Sequence, residues 1–209
     1  MLISIDQIKL WLLNLNKRLQ EKKEYLTDLD QAIGDGDHGL NMARGFKEVS
    51  TKIQNTEYET IGALLKDTGM TLLAKVGGAS GPLYGTAFLK AAAVIGDKPS
   101  ITVEDLSTAF EAGLDGIMVR GKANLSDKTM IDVWQPVVSY LKNNHENMDW
   151  DEIIRVASEN MEATKEMEAK KGRAAYLGKR SIGHIDPGSA SSNYFFSELA
   201  HVLKGDINE

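Results

Sequence analysis

The chain contains no cysteine, which excludes disulfides, thiolate metal centres and cysteine nucleophiles and suits a reducing, cytoplasmic setting. Proline is scarce, with four residues in 209, so few positions lack the backbone N–H that a helix interior needs. No apolar run approaches the ~20 residues of a membrane span, and Asp6 and Lys9 interrupt any secretory signal core. No basic block stands out, and the net charge is −6, so neither nucleic acid nor a membrane is expected as a partner. Apolar–polar alternation with β-branched residues is also missing, and no strand is expected. The remainder is ordinary for a globular chain: 42% hydrophobic and 26% charged residues, in a length that favours one domain spanning residues 1–209.

Helical periodicity fills most of that domain. Ile5, Ile8, Leu12, Leu15 and Leu19 recur at spacings of three and four, which predicts a first helix from a Ser4 cap to about Leu26. Further helices are expected at about Asn41–Gln54, Thr60–Val76 and Pro82–Ile95, the last small and apolar enough to be buried. Thr102 should cap a fifth helix, and a sixth spans about Lys128–Lys142 with a kink at Pro136. The seventh runs from Asp149 to about Lys170, and the eighth covers Ser191–Leu203. The architecture predicted is a single all-α domain of about eight helices.

The chemistry concentrates in DQAIGDGDHGLN, Asp30–Asn41. Three carboxylates, Asp30, Asp35 and Asp37, fall within eight residues, separated by Gly34 and Gly36 and followed by Gly39. Such a density of like charge repels itself unless a cation sits among the oxygens. Glycine lets the backbone turn sharply enough for the three to converge, and all-oxygen ligands suit magnesium or calcium. The same residue types also make an ordinary solvated turn. An EF-hand fails on position: counted from Asp35, its fifth, sixth and twelfth places hold Gly39, Leu40 and Phe46.

Two other segments fit a phosphate-bearing ligand. In VGGASGPLYG, the Gly78–Gly81 turn before a proline-opened helix can aim backbone N–H groups and a hydroxyl at an anion. It is equally readable as a tight interhelix turn, and it is no Walker A loop, since no Gly-Lys-Ser/Thr follows. The segment Lys171–Ala190 is long, glycine-hinged and basic, with Arg173, Lys179, Arg180 and His184. Irregular segments of this length in a compact domain are usually functional or disordered, and Tyr176, Leu177, Ile182 and Ile185 would anchor it as a lid.

Together, Asp30-x4-Asp35-x-Asp37-His38-Gly39-x-Asn41, GGASGPLYG, Gly121 with GKANLSDKTM, and GRAAYLGKRSIGHIDPG resemble the L component of dihydroxyacetone kinases. The motifs follow the family's order over essentially the whole chain. The resemblance implies an eight-helix antiparallel barrel with ADP or ATP at one end, held through two magnesium ions on Asp30, Asp35 and Asp37. It further implies nucleotide contacts from His38, Gly39, Leu40 and Asn41, from Ala79 and Ser80 in the Gly78–Gly81 turn, and from Gly121, Met130, Arg173, Asp186, Pro187 and Gly188. Arg173, in the glycine-hinged segment, is expected to meet charge on the phosphates.

The family divides by phosphoryl donor. A chain of this length has no room for the dihydroxyacetone-binding K domain, so it resembles the branch in which L is a separate subunit. There a phosphohistidine on an M subunit of the phosphotransferase system recharges tightly held ADP, and the ATP formed phosphorylates dihydroxyacetone on the K subunit. Two alternatives stay open: a free-standing subunit using exchangeable ATP, and a non-enzymatic nucleotide-state sensor that binds a transcription regulator. A homodimer is also open.

Overall fold

In the computed structural model, which describes residues 1–205, nine α-helices form a closed ring among the described residues. They are α1 (Ile5–Glu21), α2 (Lys23–Ile33), α3 (His38–Asn55), α4 (Ile61–Lys75), α5 (Ser80–Ile95), α6 (Val103–Gly121), α7 (Ile131–Asn144), α8 (Trp150–Ala163) and α9 (Pro187–Lys204). From α3 onward each helix packs on the next in sequence, and α9 closes the ring against α1 and α2. Connections between sequential neighbours, short except for the 164–186 segment before α9, give the antiparallel up-and-down order of a helical barrel. The expected eight-helix architecture is present, except that its first helix is two, because the run breaks at Lys22.

A core of side chains fills the barrel. Phe195 of α9 sits at its centre, with ring centroids 4.8 Å from Trp11 and 4.9 Å from both Trp134 and Phe196. Edge-on arrangements dominate, as expected when the positive ring edge meets the negative face of its neighbour. Neither indole N–H is stranded: Trp11 Nε1 donates to the Phe195 carbonyl at 3.0 Å and Trp134 Nε1 to Ser192 Oγ at 3.1 Å.

The expectation of no strand is corrected. β1 (Leu2–Ser4) and β2 (Ser100–Thr102) pair antiparallel, with Ile3 opposite Ile101 and both fully buried. Three residues are too few for alternation to register, and only the barrel brings the two segments together. Each strand runs straight into a helix through a capping box, Ser4 with Gln7 at α1 and Thr102 with Asp105 at α6.

Other boundaries also moved. α5 opens at Ser80 rather than at Pro82, and α8 ends at Ala163 rather than near Lys170, followed by a 3-10 turn at Thr164–Glu166. α9 begins at Pro187, where Asp186 caps it and proline suits the first turn. The Lys171–Ala190 segment is accordingly less irregular than its composition suggests, with 3-10 turns over Arg173–Ser181. Pro136 lies inside an uninterrupted α7.

Candidate functional site

Asp30 stands in the last turn of α2, not in the loop, and is buried. Its Oδ2 accepts from the backbone N–H groups of Asp37 at 2.9 Å and His38 at 3.1 Å, which folds the 34–37 turn back over the helix end. Gly36 takes φ +73°, a region that β-carbons disfavour, and a β-carbon at Gly34 would collide with the Asp30 carboxylate. The result is that one oxygen from each of Asp30, Asp35 and Asp37 lies within 4.8 Å of the others. This donor set, all carboxylate oxygen and graded from the buried Asp30 to the exposed Asp35, fits a hard divalent cation.

His38, the first residue of α3, is buried and bridges three helices. Its Nδ1 lies 2.9 Å from Ser80 Oγ on α5 and its Nε2 3.0 Å from Ser191 Oγ on α9. Burial lowers its pKa to about 4, against the opposing pull of the Asp30 carboxylate and the Pro187 carbonyl. The imidazole is therefore neutral, with one ring nitrogen donating and the other accepting. Behind it, the Tyr84 hydroxyl lies 2.9 Å from both Ser191 Oγ and Ser192 Oγ, and burial pushes its pKa up to about 12. The network continues through Ser192 to the Trp134 indole.

A cavity of about 660 Å³ opens beside the three aspartates. Helices α3, α5, α7 and α9 all start on its rim, so four positive dipole ends converge on it. That is a site for an anion. The three aspartates, His38, Gly78, Ala79 and Ser80 line one side. Gly121, Met130, Asp186, Pro187 and Gly188 line the other, and Arg173 joins from the 3-10 segment.

Gly39, Leu40, Asn41 and Gly81 stand outside the lining. Gly39 packs against the α2 backbone at Lys23, and Gly81 against the Val76 carbonyl. Leu40 is exposed, while Asn41 is buried and its Oδ1 accepts from Arg44 at 2.8 Å.

The charged groups around the cavity are unequal. Arg173 Nε contacts Asp35 Oδ2 at 2.9 Å, with the arginine side chain 69% exposed. Asp186 caps α9 by accepting from Ser189 N–H at 2.7 Å. Burial in the cavity wall pushes its pKa up to about 7; the Ser189 hydrogen bonds and the Lys128 ammonium oppose this and are outweighed. His184, counted in the sequence among the basic residues of the 171–190 segment, is exposed and contributes its carbonyl to the Lys128 ammonium.

Sequence reasoning missed Lys128 and Asp132. Lys128 was expected to open a helix; it stands before α7 with φ +60° and only 1% exposure. The Asp132 carboxylate accepts from Ser126 N–H at 2.5 Å and Thr129 N–H at 2.7 Å, holding the turn that carries it. A buried lysine leaves no periodic trace, and the only signal was its place in the DKTM motif. Arg120 and Lys171 also line the cavity.

The helical fold of this chain is shared with characterised proteins. The DAK2 domain matches residues 32–201, and the chain belongs to the DAK2 domain family. More particularly, it is 50% identical over 189 residues to the ADP-binding subunit DhaL of PEP-dependent dihydroxyacetone kinase 1 from Listeria innocua, covering 90% of this chain and 92% of that one. It is 47% identical over 209 residues to the ADP-binding subunit DhaL of the PEP-dependent dihydroxyacetone kinase from Escherichia coli, covering 98% and 100%. The crystal structure of the dihydroxyacetone kinase from C. freundii in complex with AMP-PNP and Mg2+ shares the fold, with a TM-score of 0.75 at 24% identity over 96% of this chain. This chain spans 34% of that one. Among the described residues no helix is long and apolar enough to cross a membrane.

Proposed function

We propose that this chain is the nucleotide-binding subunit of a dihydroxyacetone kinase, working in the cytoplasm with a separate K subunit that holds dihydroxyacetone. The observation that carries the reading is the convergence of Asp30, Asp35 and Asp37 beside four helix starts, a pairing of cation ligands with an anion cradle. Identity to relatives named ADP-binding subunits over nearly their whole length supports it.

In this reading Asp30, Asp35 and Asp37 would hold two magnesium ions that neutralise a bound nucleotide, which would carry a phosphoryl group from a phosphohistidine on an M subunit to dihydroxyacetone on K. The chain itself aligns and neutralises rather than forming covalent bonds, which is how phosphoryl transfer is mainly promoted. The backbone N–H groups of the Gly78–Gly81 turn at the start of α5 face the phosphates. Neutral His38 holds Ser80 in place on that turn. Arg173, already over the acidic cluster, meets charge that builds on the transferred group. The 171–190 segment is a lid whose exposed tip carries Tyr176, and it keeps water from the reacting atoms. No general base is required on this chain, because the accepting hydroxyl is held by another subunit.

Mass spectrometry of protein purified without added nucleotide, compared under native and denaturing conditions, tests the reading. ADP with magnesium should co-purify at one equivalent. Freely exchanging ATP would select the other phosphoryl donor, and protein that neither carries nor binds Mg-ADP would overturn the assignment.

A further inference from the structure

We propose that Lys128 is a positioning residue: its buried ammonium fixes the stem of the 168–180 segment and so sets where Arg173 stands over the acidic cluster. The consequence for transfer rests on the nucleotide-binding reading above; the consequence for the segment's order does not.

Lys128 lines the cavity, and a lysine in a phosphate-sized cavity would ordinarily be assigned to the phosphates. Its hydrogen bonds say otherwise. Nζ donates to the Met167 carbonyl at 3.1 Å, the Ser181 carbonyl at 2.6 Å and the His184 carbonyl at 2.6 Å. An ammonium has three donors, so all are committed to main-chain oxygen and none remains for a ligand.

Met167 precedes the segment, while Ser181 and His184 follow it, so one side chain ties both stems. Stranding a buried ammonium costs far more than losing an exposed contact, which makes this tie hard to open. Shorter-range bonds complete the stem: Gly183 N–H to the Lys165 carbonyl at 2.8 Å and Ala169 N–H to Ser181 Oγ at 2.9 Å.

The backbone is arranged for the same end. Lys128 and Ser126 have φ of +60° and +68°, a left-handed conformation disfavoured for residues with a β-carbon. Asp132 holds both sides of this turn through the Ser126 and Thr129 amides. The strained turn points the lysine inward. Beyond the stem the segment is looser: Gly178 breaks the 3-10 turns at φ +54°, and Tyr176 is 90% exposed. Arg173 lies between the fixed stem and this free tip, so its placement depends on the stem.

The test uses full-length Lys128→Met, Arg173→Met and the double variant. Amide hydrogen exchange is read at Ala169 and Gly183, Mg-ADP affinity by calorimetry, and single-turnover phosphorylation of dihydroxyacetone with the K partner present. Lys128→Met should keep its helicity and Mg-ADP binding, exchange faster at both amides, and transfer more slowly by on the order of 10- to 100-fold. In the Arg173→Met background it should cost nothing further. Additive losses, unchanged exchange or global unfolding of Lys128→Met would each overturn the proposal.

A second variant guards against misfolding. Because the chain has no other cysteine, Lys128→Cys aminoethylated before refolding restores an ammonium at one position only. Exchange protection and transfer should both return, and their failure to return in folded protein counts against Lys128. Wild-type protein that does not bind Mg-ADP would defeat the nucleotide reading alone, leaving the exchange arm to decide on Lys128.

Discussion

At the end of the barrel where α1 and α6 begin, Ser4 and Thr102 cap their helices through neutral hydroxyls, and paired strands bury Ile3 against Ile101. At the opposite end, where α3, α5, α7 and α9 begin, only α9 among the four has a side-chain cap from its N-cap residue, Asp186, and carboxylates crowd one another beside an open cavity. The first end satisfies every requirement of a stable helix start locally. The second leaves three of its four helix starts without a side-chain cap from the N-cap residue and accumulates like charge. Natural chains depart from local consistency mainly at functional sites, and the contrast locates the site before any ligand is considered. Between the ends the aromatic core around Phe195 belongs to neither and holds both.

The largest effect that could break this contrast is removal of an aspartate. Asp30→Ala, Asp35→Ala and Asp37→Ala should each abolish nucleotide retention while leaving ligand-free helicity near wild type. Wild type stripped of nucleotide should lose about 2.7 kcal/mol of the stability it has at ligand 100-fold above Kd. Unchanged ADP content in all three variants would remove the metal assignment. Asp30→Asn sharpens the point, because it keeps an acceptor for the Asp37 and His38 amides but loses the charge.

Phe195→Ala addresses the core instead. It should cost ~3–5 kcal/mol of stability in denaturant titration, with Mg-ADP affinity of the folded fraction unchanged. A matching loss of affinity would mean that core and site are not separable.

Arg173→Lys should be smaller and confined to the charged end. Arginine's rigid fork can meet two oxygens of the transferred group, whereas lysine offers one compact charge. A loss of ~1–3 kcal/mol in transfer, roughly 5- to 150-fold in rate, is expected, with ADP affinity affected less. If Arg173 serves only its ion pair with the exposed Asp35, the effect falls to ~0–1 kcal/mol, and rate and affinity move together.

The smallest effects compare one cap from each end. Thr102→Ala should cost ~1 kcal/mol, the same at pH 5 and pH 8. Asp186, capping α9, behaves differently. Its folded-state pKa, raised to about 7, means that its protonated form favours the folded state, fully below the unfolded value near 4. That contribution is lost as pH rises toward and through 7. Urea midpoints of wild type should therefore fall between pH 5 and pH 8, and Asp186→Asn should diminish that fall. Parallel profiles for wild type and Asp186→Asn would show that burial does not perturb this carboxyl.

Much of the fold was legible. The three-and-four spacing located most of the helices, since an amphipathic stripe is written into the chain whatever it packs against, but it left α2, which runs to Ile33, without a place of its own. It ran through Lys22 without a mark, because the apolar pattern continues while the axis changes there. The acidic turn was legible for a local reason: its three carboxylates lie within eight residues, and their repulsion needs no tertiary context. The ends of α8 and α9 were misplaced because Lys165–Ala190 is held by distant partners, above all by the Lys128 ammonium 39, 53 and 56 residues away.

The sequence by itself determined the helical class, the acidic turn and the glycine-rich turn before α5, since each rests on spacing or charge within a few residues. Tertiary structure alone decided that these motifs meet at one rim, that β1 finds β2, and that His38 is neutral between Ser80 and Ser191. It also decided that Lys128 serves carbonyls rather than a ligand. The reason is the same throughout. Burial and partner identity depend on which helix starts share an end of the barrel, and no local pattern encodes that.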